Sequence, residues 1–205
     1  DEGIYFQTFT KLIKIKNKSV KLWKPNTDAT FHFSYLVDNT FYINERGVGL
    51  KKMSNEKLEL IPGGEEFSAL RIYSMLRSEK DQILIATREK GLAVIKGKKE
   101  LPIFVNAEVN EHLINDQVYG GVEINETRFA FATLTNGVLI TDINGNIIQH
   151  LNKQSGLQDD IVKYVALDNQ HDLWIALGKG ISHAEISSPL NTFGEAQGLS
   201  GFIEQ

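Results

Sequence analysis

Apolar residues alternate with polar ones along this chain over runs of four to six residues, and the runs are broken by Gly, Asn and Asp. That is the period of half-buried strands joined by tight turns, and no stretch sustains the i, i+3, i+4, i+7 spacing of an amphipathic helix. Four segments share a longer pattern: two apolar residues one position apart, a short polar loop, then Gly and an aliphatic residue. They are Phe41-Tyr-Ile43…Gly49-Leu50, Ile83-Leu-Ile85…Gly91-Leu92, Phe129-Ala-Phe131…Gly137-Val138 and Trp174-Ile175…Gly180-Ile181, with glycines 42, 46 and 43 residues apart. Ile4-Tyr-Phe6…Leu12 is a partial fifth copy with Lys11 in the glycine position, and Gly156-Leu157 and Gly198-Leu199 form a second landmark 42 residues apart.

Within the copy that begins at Gly156, Val162–Val165, Asp172–Ala176 and Ile181–Ile186 read as three successive strands, and the region up to Phe193 as a fourth. Asn144-Gly145, between Leu139–Asp142 and Asn146–Ile148, predicts a type I′ hairpin between the third and fourth strands of the preceding copy. Four short strands every 42 to 46 residues make a propeller blade. A sheet this small cannot bury both faces alone, so blades stack radially and cover one another. Solenoids of this repeat length usually carry a helix, and the regular Gly-aliphatic spacing argues against a β-sandwich, the structural runner-up. The expected fold is an all-β propeller of four-stranded antiparallel blades, with repeats at about 1–30, 31–66, 67–115, 116–157 and 158–198 and a further one starting at 199–205.

The best-formed copy, Gly156-Leu157-x-x-Asp160-x-Val162-x-x-Val165-x-x-Asp168…Leu173-Trp174-Ile175-Ala176…Gly180-Ile181, resembles the two-component regulator propeller repeat. Ile4–Thr8 and Ile83–Thr87 resemble the Leu-Trp-Ile-Gly-Thr element of that repeat in degenerate form. The resemblance departs from the family in keeping Trp in one copy only and in placing His171 at a turn where the family favours Gly. It implies the periplasmic or extracellular sensing region of a bacterial membrane receptor, whose other parts are an immunoglobulin-like triple-tyrosine domain, a membrane span and a histidine kinase or DNA-binding output domain. The phase of the chain, from a second strand at Ile4–Phe9 to a first strand at Phe202–Gln205, leads to the expectation of about four full blades plus split end strands, a slice of a seven-bladed ring. Closure as five blades is the alternative.

Composition narrows the partners. Of 205 residues 41% are apolar, and the net charge of −4 offers no basic field for a phosphate backbone, so nucleic acid is not an expected partner. There is no cysteine, which excludes disulfides, thiolate zinc sites and a cysteine nucleophile. No apolar run reaches the roughly 18 residues of a membrane helix, so no membrane insertion by this region is expected. The opening Asp1-Glu2-Gly3 is not a leader, so an exported chain would have lost its signal already.

Motifs of catalysis are missing. The five histidines, His32, His112, His150, His171 and His183, form no His-Glu-x-x-His or His-x-His pair. Asp142-Ile-Asn144-Gly145-Asn146 lacks calcium-loop spacing and its distal Glu, and reads as a hairpin turn. No nucleophile elbow, phosphate loop or dinucleotide fingerprint occurs, so neither metal nor cofactor is expected. The lysines between Lys11 and Lys24 alternate with Leu12, Ile13, Ile15, Val20 and Leu22 as on a guarded outer strand, His171 reads as a solvated turn residue, and Trp174 as a residue packed between blades. In a propeller the loops joining strands two and three open on the same face as the blade-to-blade connections. Here that face would carry Arg46, Arg88, Glu89, Lys90, Thr135, Asn136 and Lys179, together with Glu65-Glu66, the segment Asn106–Gln117 with Asp116, and Gln158-Asp159-Asp160. From these, Arg46, Arg88, Lys90, Asn136, Lys179, Asp116, Asp159 and Asp160 are the expected ligand-binding residues, since loops on a rigid scaffold concentrate function. The expected function is a non-catalytic sensor module that binds a saccharide-like or other polar small molecule, or neighbouring domains of its own receptor, with a homodimer as a further possible partner. A propeller lyase or glycosidase, or an interaction scaffold, is the alternative.

Overall fold

The computed structural model describes residues 3–78, 82–97, 101–105 and 107–186. Among these the strands form five antiparallel sheets, each paired in chain order. The first holds β1 (Ile4–Gln7), β2 (Leu12–Lys16) and β3 (Ser19–Trp23), and the second β4 (Thr30–Val37), β5 (Thr40–Arg46), β6 (Gly49–Ser54) and β7 (Lys57–Leu60). The third holds β8 (Ile72–Arg77), β9 (Gln82–Thr87), β10 (Gly91–Lys96) and β11 (Ile103–Phe104), and the fourth β12 (Val118–Asn125), β13 (Arg128–Thr133), β14 (Val138–Asp142) and β15 (Ile147–Leu151). The fifth contains β16 (Val162–Leu167), β17 (Leu173–Leu177) and β18 (Ile181–Ala184). The strand expected up to Phe193, the Gly198-Leu199 landmark and the terminal strand at Phe202–Gln205 lie outside the described residues, and with them the closure of the ring.

A short helix, α1 (Val109–Asn115), interrupts the connection between the third and fourth sheets. Its apolar anchors are Val109 and Leu113, both fully buried, and a single i, i+4 pair is too short a signal to show as helical periodicity. The tightest hairpins are two-residue loops with positive φ at both positions: Asn17-Lys18, Asp38-Asn39 and Asn55-Glu56. The Asn144-Gly145 turn differs from the expected type I′. Only Gly145 is left-handed, at φ 79°, and the Asp142 carboxylate accepts from the Asn144 and Asn146 amides. Asp142 thus sets the start of a three-residue loop, which relieves Asn144 of positive φ.

Alternation along each central strand sends neighbouring residues into two different cores. Ile85 packs toward the second sheet and Leu84 and Ala86 toward the fourth; Phe129 and Phe131 face the third sheet, and Ala130 and Ala132 the fifth. The same logic corrects the placement of Trp174. Leu173 and Ile175 are fully buried against the fourth sheet, whereas Trp174 points the other way and is 48% exposed. Its counterparts Leu84 and Ala130 are buried because a following sheet covers them. Tyr164 and Ile181 share the open face of Trp174, and Ile4, Phe6, Val20 and Leu22 form an open face on the first sheet. The lysine-rich segment runs along β2 and β3 with Lys11, Lys16, Lys18 and Lys24 exposed as expected; Lys14 is the exception, buried against Tyr5 with its Nζ 3.9 Å from Glu56.

Candidate functional site

Successive sheets from the second to the fifth touch chiefly through their first strands, β4 to β8, β8 to β12 and β12 to β16, which gather on the inner side of the stack. Each of these four strands breaks register near its beginning: between Phe31 and Ser34, Ile72 and Ser74, Val118 and Gly120, and Val162 and Tyr164. A bulge turns the extra residue out of the sheet. The residues so turned are His32 and Phe33, Tyr73, Tyr119 and Lys163.

They meet from sheet to sheet. The His32 ring lies 4.5 Å from Phe33 and 5.1 Å from Tyr73, Phe33 lies 5.7 Å from Tyr73, and Tyr73 lies 5.5 Å from Tyr119. Lys163 Nζ stands 5.4 Å from the Tyr119 ring centre, and the Arg88 guanidinium 4.1 Å from that of Tyr73. Both contacts are cation–π geometry. Arg46 and Arg71 are near enough for their charges to act on His32. The result is an aromatic strip across the second, third and fourth sheets, continued onto the fifth by Lys163 and flanked by Arg46, Arg71 and Arg88.

His32 is held at about 4, well below its usual 6.5, first by burial and then by the charge of Arg46; Arg71 adds to this, while a backbone hydrogen bond with Ile72 and the charge of Glu89 oppose it and lose. Its Nδ1 is buried without a hydrogen-bond partner among the described residues, as suits a neutral ring. Between pH 6.5 and about 4 the unfolded chain therefore takes up a proton that the folded chain refuses, so stability should fall as pH falls through that window. Urea midpoints at pH 7, 6 and 5 should fall less steeply in His32→Gln than in the parent; parallel slopes would contradict the buried, neutral assignment.

The expected binding residues divide into three groups. Arg46 and Arg88 come together around the strip, but Arg88 is also a clamp, donating through Nε and Nη2 to the Val118 carbonyl at 3.3 and 3.0 Å. Burial pushes its guanidinium down from the ordinary arginine range. A second group is engaged in building the loops. Lys90 lies over Phe104 at 4.6 Å, Asp160 Oδ1 accepts from the Lys153 amide at 2.7 Å, and Asp159 Oδ1 accepts from the Ile161 amide at 3.3 Å. Asn136 Nδ2 donates to Asp116 Oδ2 at 2.8 Å. Lys179, in the third group, is exposed on the fifth sheet, and among the described residues no contact joins it to Arg46 or Arg88.

Glu89 is likewise engaged, accepting from the Arg71 Nε at 2.6 Å and from its amide at 2.7 Å. Sequence reasoning passed over His32, Phe33, Arg71, Tyr73, Tyr119 and Lys163 as site residues. His32, Tyr73, Tyr119 and Lys163 follow one another at 41, 46 and 44 residues, close to the repeat of the glycines, and each directly follows a buried apolar residue. Aligning the repeats on that position would have found them. At the end of the second and third sheets where the β4–β5 and β6–β7 turns lie, a cavity of about 480 Å³ opens beside Asp38, Tyr42, Lys52 and Arg77, away from the strip.

No family model matches the sequence, and no curated protein matches it. In three dimensions the chain is similar to the extracellular domain of a protein assigned as a hybrid two component system of B. thetaiotaomicron, with TM-score 0.68 and 16% identity over 89% of this chain and 28% of that one. It is also similar to the extracellular domain of a protein assigned as a one component system of the same organism, with TM-score 0.61 and 16% identity over 96% of this chain and 31% of that one. The WD40 domain of Neurospora crassa Pan2 superposes with TM-score 0.62 and 14% identity over 85% of this chain and 52% of that one. The fold is a β-propeller. This chain spans less than a third of the length of the two B. thetaiotaomicron structures, which are the kind of receptor domain to which the repeat resemblance pointed. Among the described residues no helix is long and apolar enough to cross a membrane.

Proposed function

We propose that this chain is the ligand-recognising propeller region of an extracellular or periplasmic receptor of the two-component type, and that the aromatic strip on the inner strands is where it reads its ligand. The observation that carries the reading is the bulge repeated at one position of four first strands, which sets His32, Phe33, Tyr73, Tyr119 and Lys163 side by side. A scaffold that only stacked its sheets has no use for four such bulges, since each interrupts a ladder. Aromatic rings offer apolar faces to the C–H faces of a pyranose, and cations around them offer charge-assisted hydrogen bonds, roughly twice as strong as neutral ones. The ligand class that combines both demands is a saccharide carrying carboxylate or sulfate. The receptor context is supported by the two extracellular domains of similar fold. Recognition without turnover is supported by the site itself, in which the acid whose charge reaches His32, Glu89, is held by Arg71.

Calorimetric titration of the chain with tetragalacturonate and with neutral cellotetraose tests the reading. Binding of the acidic oligomer at least tenfold tighter is expected, weakened at least tenfold by Tyr119→Ala or Lys163→Gln and unchanged by Lys179→Ala. Equal affinity for both oligomers, or indifference to the Tyr119 and Lys163 substitutions, would remove the strip from consideration. Cleavage of either oligomer would transfer the site to the enzyme reading.

A further inference from the structure

The fourth sheet and α1 carry a second constellation that the strip does not use. On α1, His112 sits one helical turn before Asp116, and its Nδ1 lies 2.7 Å from Asp116 Oδ2. That carboxylate oxygen also accepts from Asn136 Nδ2 at 2.8 Å, so the acid is fixed from the β13–β14 loop as well as from the helix end. On β15, the outermost strand of the sheet, His150 donates from Nε2 to the Asn136 carbonyl at 2.6 Å. The two imidazoles are neighbours, with ring centres 6.1 Å apart and planes inclined at 54°.

Each ring therefore has one nitrogen committed as a donor to an acceptor. In the neutral imidazole the other nitrogen then carries a lone pair: Nε2 of His112 and Nδ1 of His150. Neither lone pair has a hydrogen-bond partner among the described residues. A histidine backed on one nitrogen by a carboxylate or a backbone carbonyl, with the other nitrogen open, is the arrangement that orients metal-ligating rings and raises their basicity. The spacing agrees. With nitrogen–metal bonds of about 2.0–2.1 Å an ion sits about 3.2 Å from each ring centre, so two rings sharing it stand about 5.2 Å apart at a tetrahedral angle and about 6.4 Å apart at a linear one. The observed 6.1 Å lies between the two, about 0.9 Å wider than the tetrahedral separation, so the rings would close by that amount around a tetrahedral ion.

We propose that His112 and His150 form a binding site for a borderline divalent cation such as Zn²⁺ or Ni²⁺, with water completing the coordination and Asp116 and the Asn136 carbonyl holding the two rings. Imidazole is well suited to these ions, and in a chain without cysteine it is the ligand best matched to them. The bound ion would tie α1 to the outer edge of the fourth sheet. The inference is independent of what the aromatic strip binds, since none of the four residues belongs to it.

Asp168, Asp172 and His183 form another group whose ligand atoms lie within 4.8 Å of one another, and it supplies the control. There the Asp168 oxygens already accept from the Trp174 indole, the His183 ring and the Gln170 and Asp172 amides. The test is calorimetric titration of chelator-treated protein with ZnCl₂ and NiCl₂, together with long-range ¹H–¹⁵N spectra of the histidine rings. One ion per chain is expected, with affinity falling at least tenfold in His112→Gln and in His150→Gln, 10- to 100-fold in Asp116→Asn, and unchanged in His183→Gln. In the parent protein Zn²⁺ should shift the ring nitrogens of His112 and His150 and leave those of His183 in place, a readout that does not depend on how the variants fold. No saturable binding up to millimolar Zn²⁺, binding that survives both histidine substitutions, or Zn²⁺ shifts confined to His183 would overturn the proposal.

Discussion

Replacing Phe131 by alanine should lower the stability of the chain by about 3–5 kcal/mol, the range for removing a large aromatic from a closed core. Phe131 is fully buried on β13, facing the third sheet among Leu84, Leu113, Val118 and Leu139. A shortened side chain leaves a void that the surrounding strands, hydrogen-bonded on both sides of β13, cannot close. Trp174→Ala removes a larger side chain from the central strand of the next sheet, and should cost no more than about 1 kcal/mol, because the indole is half in solvent and its Nε1 bonds a half-buried Asp168. Urea denaturation of both variants gives the comparison. A larger loss for Trp174→Ala than for Phe131→Ala would mean that the inward and outward faces of the central strands have been exchanged.

Gly137→Ala is expected to cost about 2–4 kcal/mol, of which the left-handed backbone supplies about 1–2 kcal/mol. At φ 75° a Cβ on residue 137 would stand 2.0 Å from the Leu151 carbonyl oxygen and 3.1 Å from Asn152 Cα, both backbone atoms that cannot step aside alone. The same glycine is fixed from three directions: its amide donates to the Asp160 carbonyl at 2.8 Å, and its carbonyl accepts from the Thr133 amide and hydroxyl, each at 2.9 Å. Gly97 is the internal control. At φ 69° it has nothing among the described residues within 4 Å of the position a Cβ would take, so Gly97→Ala should show the backbone cost alone. Equal losses at the two positions, measured by thermal or urea unfolding, would show that the close approach of the β13–β14 loop to the end of β15 is unimportant.

That glycine is the reason the architecture was legible in the chain. Gly49 would place a Cβ 2.2 Å from the Gly64 carbonyl oxygen, and Gly91 would place one 2.4 Å from Asn110 Oδ1. In the second, third and fourth sheets the Gly-aliphatic pair therefore marks the point where the central hairpin slides under the connection that follows the sheet, and a residue without Cβ is needed there. Strand positions followed from alternation in the same way, and the three strands read after Gly156 appear at β16, β17 and β18.

What alternation does not contain is which face a neighbouring sheet covers. Leu173 and Trp174 are both large and apolar, and only the packing of the fourth sheet separates them. The loop residues were legible by address and not by occupation. Arg88 and Asn136 stand on the expected face, yet the Val118 carbonyl and the Asp116 carboxylate that engage them come from segments 30 and 20 residues away in sequence. The strip itself was hidden because its members, a histidine, a phenylalanine, two tyrosines and a lysine, share a position in the blade and no side-chain chemistry.

The claim that this position is where ligand is read can be tested on the unmodified chain by mapping backbone amide shifts during titration with tetragalacturonate. The largest changes are expected at residues 31–34, 72–74, 118–120 and 162–164, the four bulges, with little change beside the cavity at Asp38, Tyr42, Lys52 and Arg77. Saturable binding whose shifts cluster at that cavity, or on the Lys179 loop, while the bulges stay silent would contradict it.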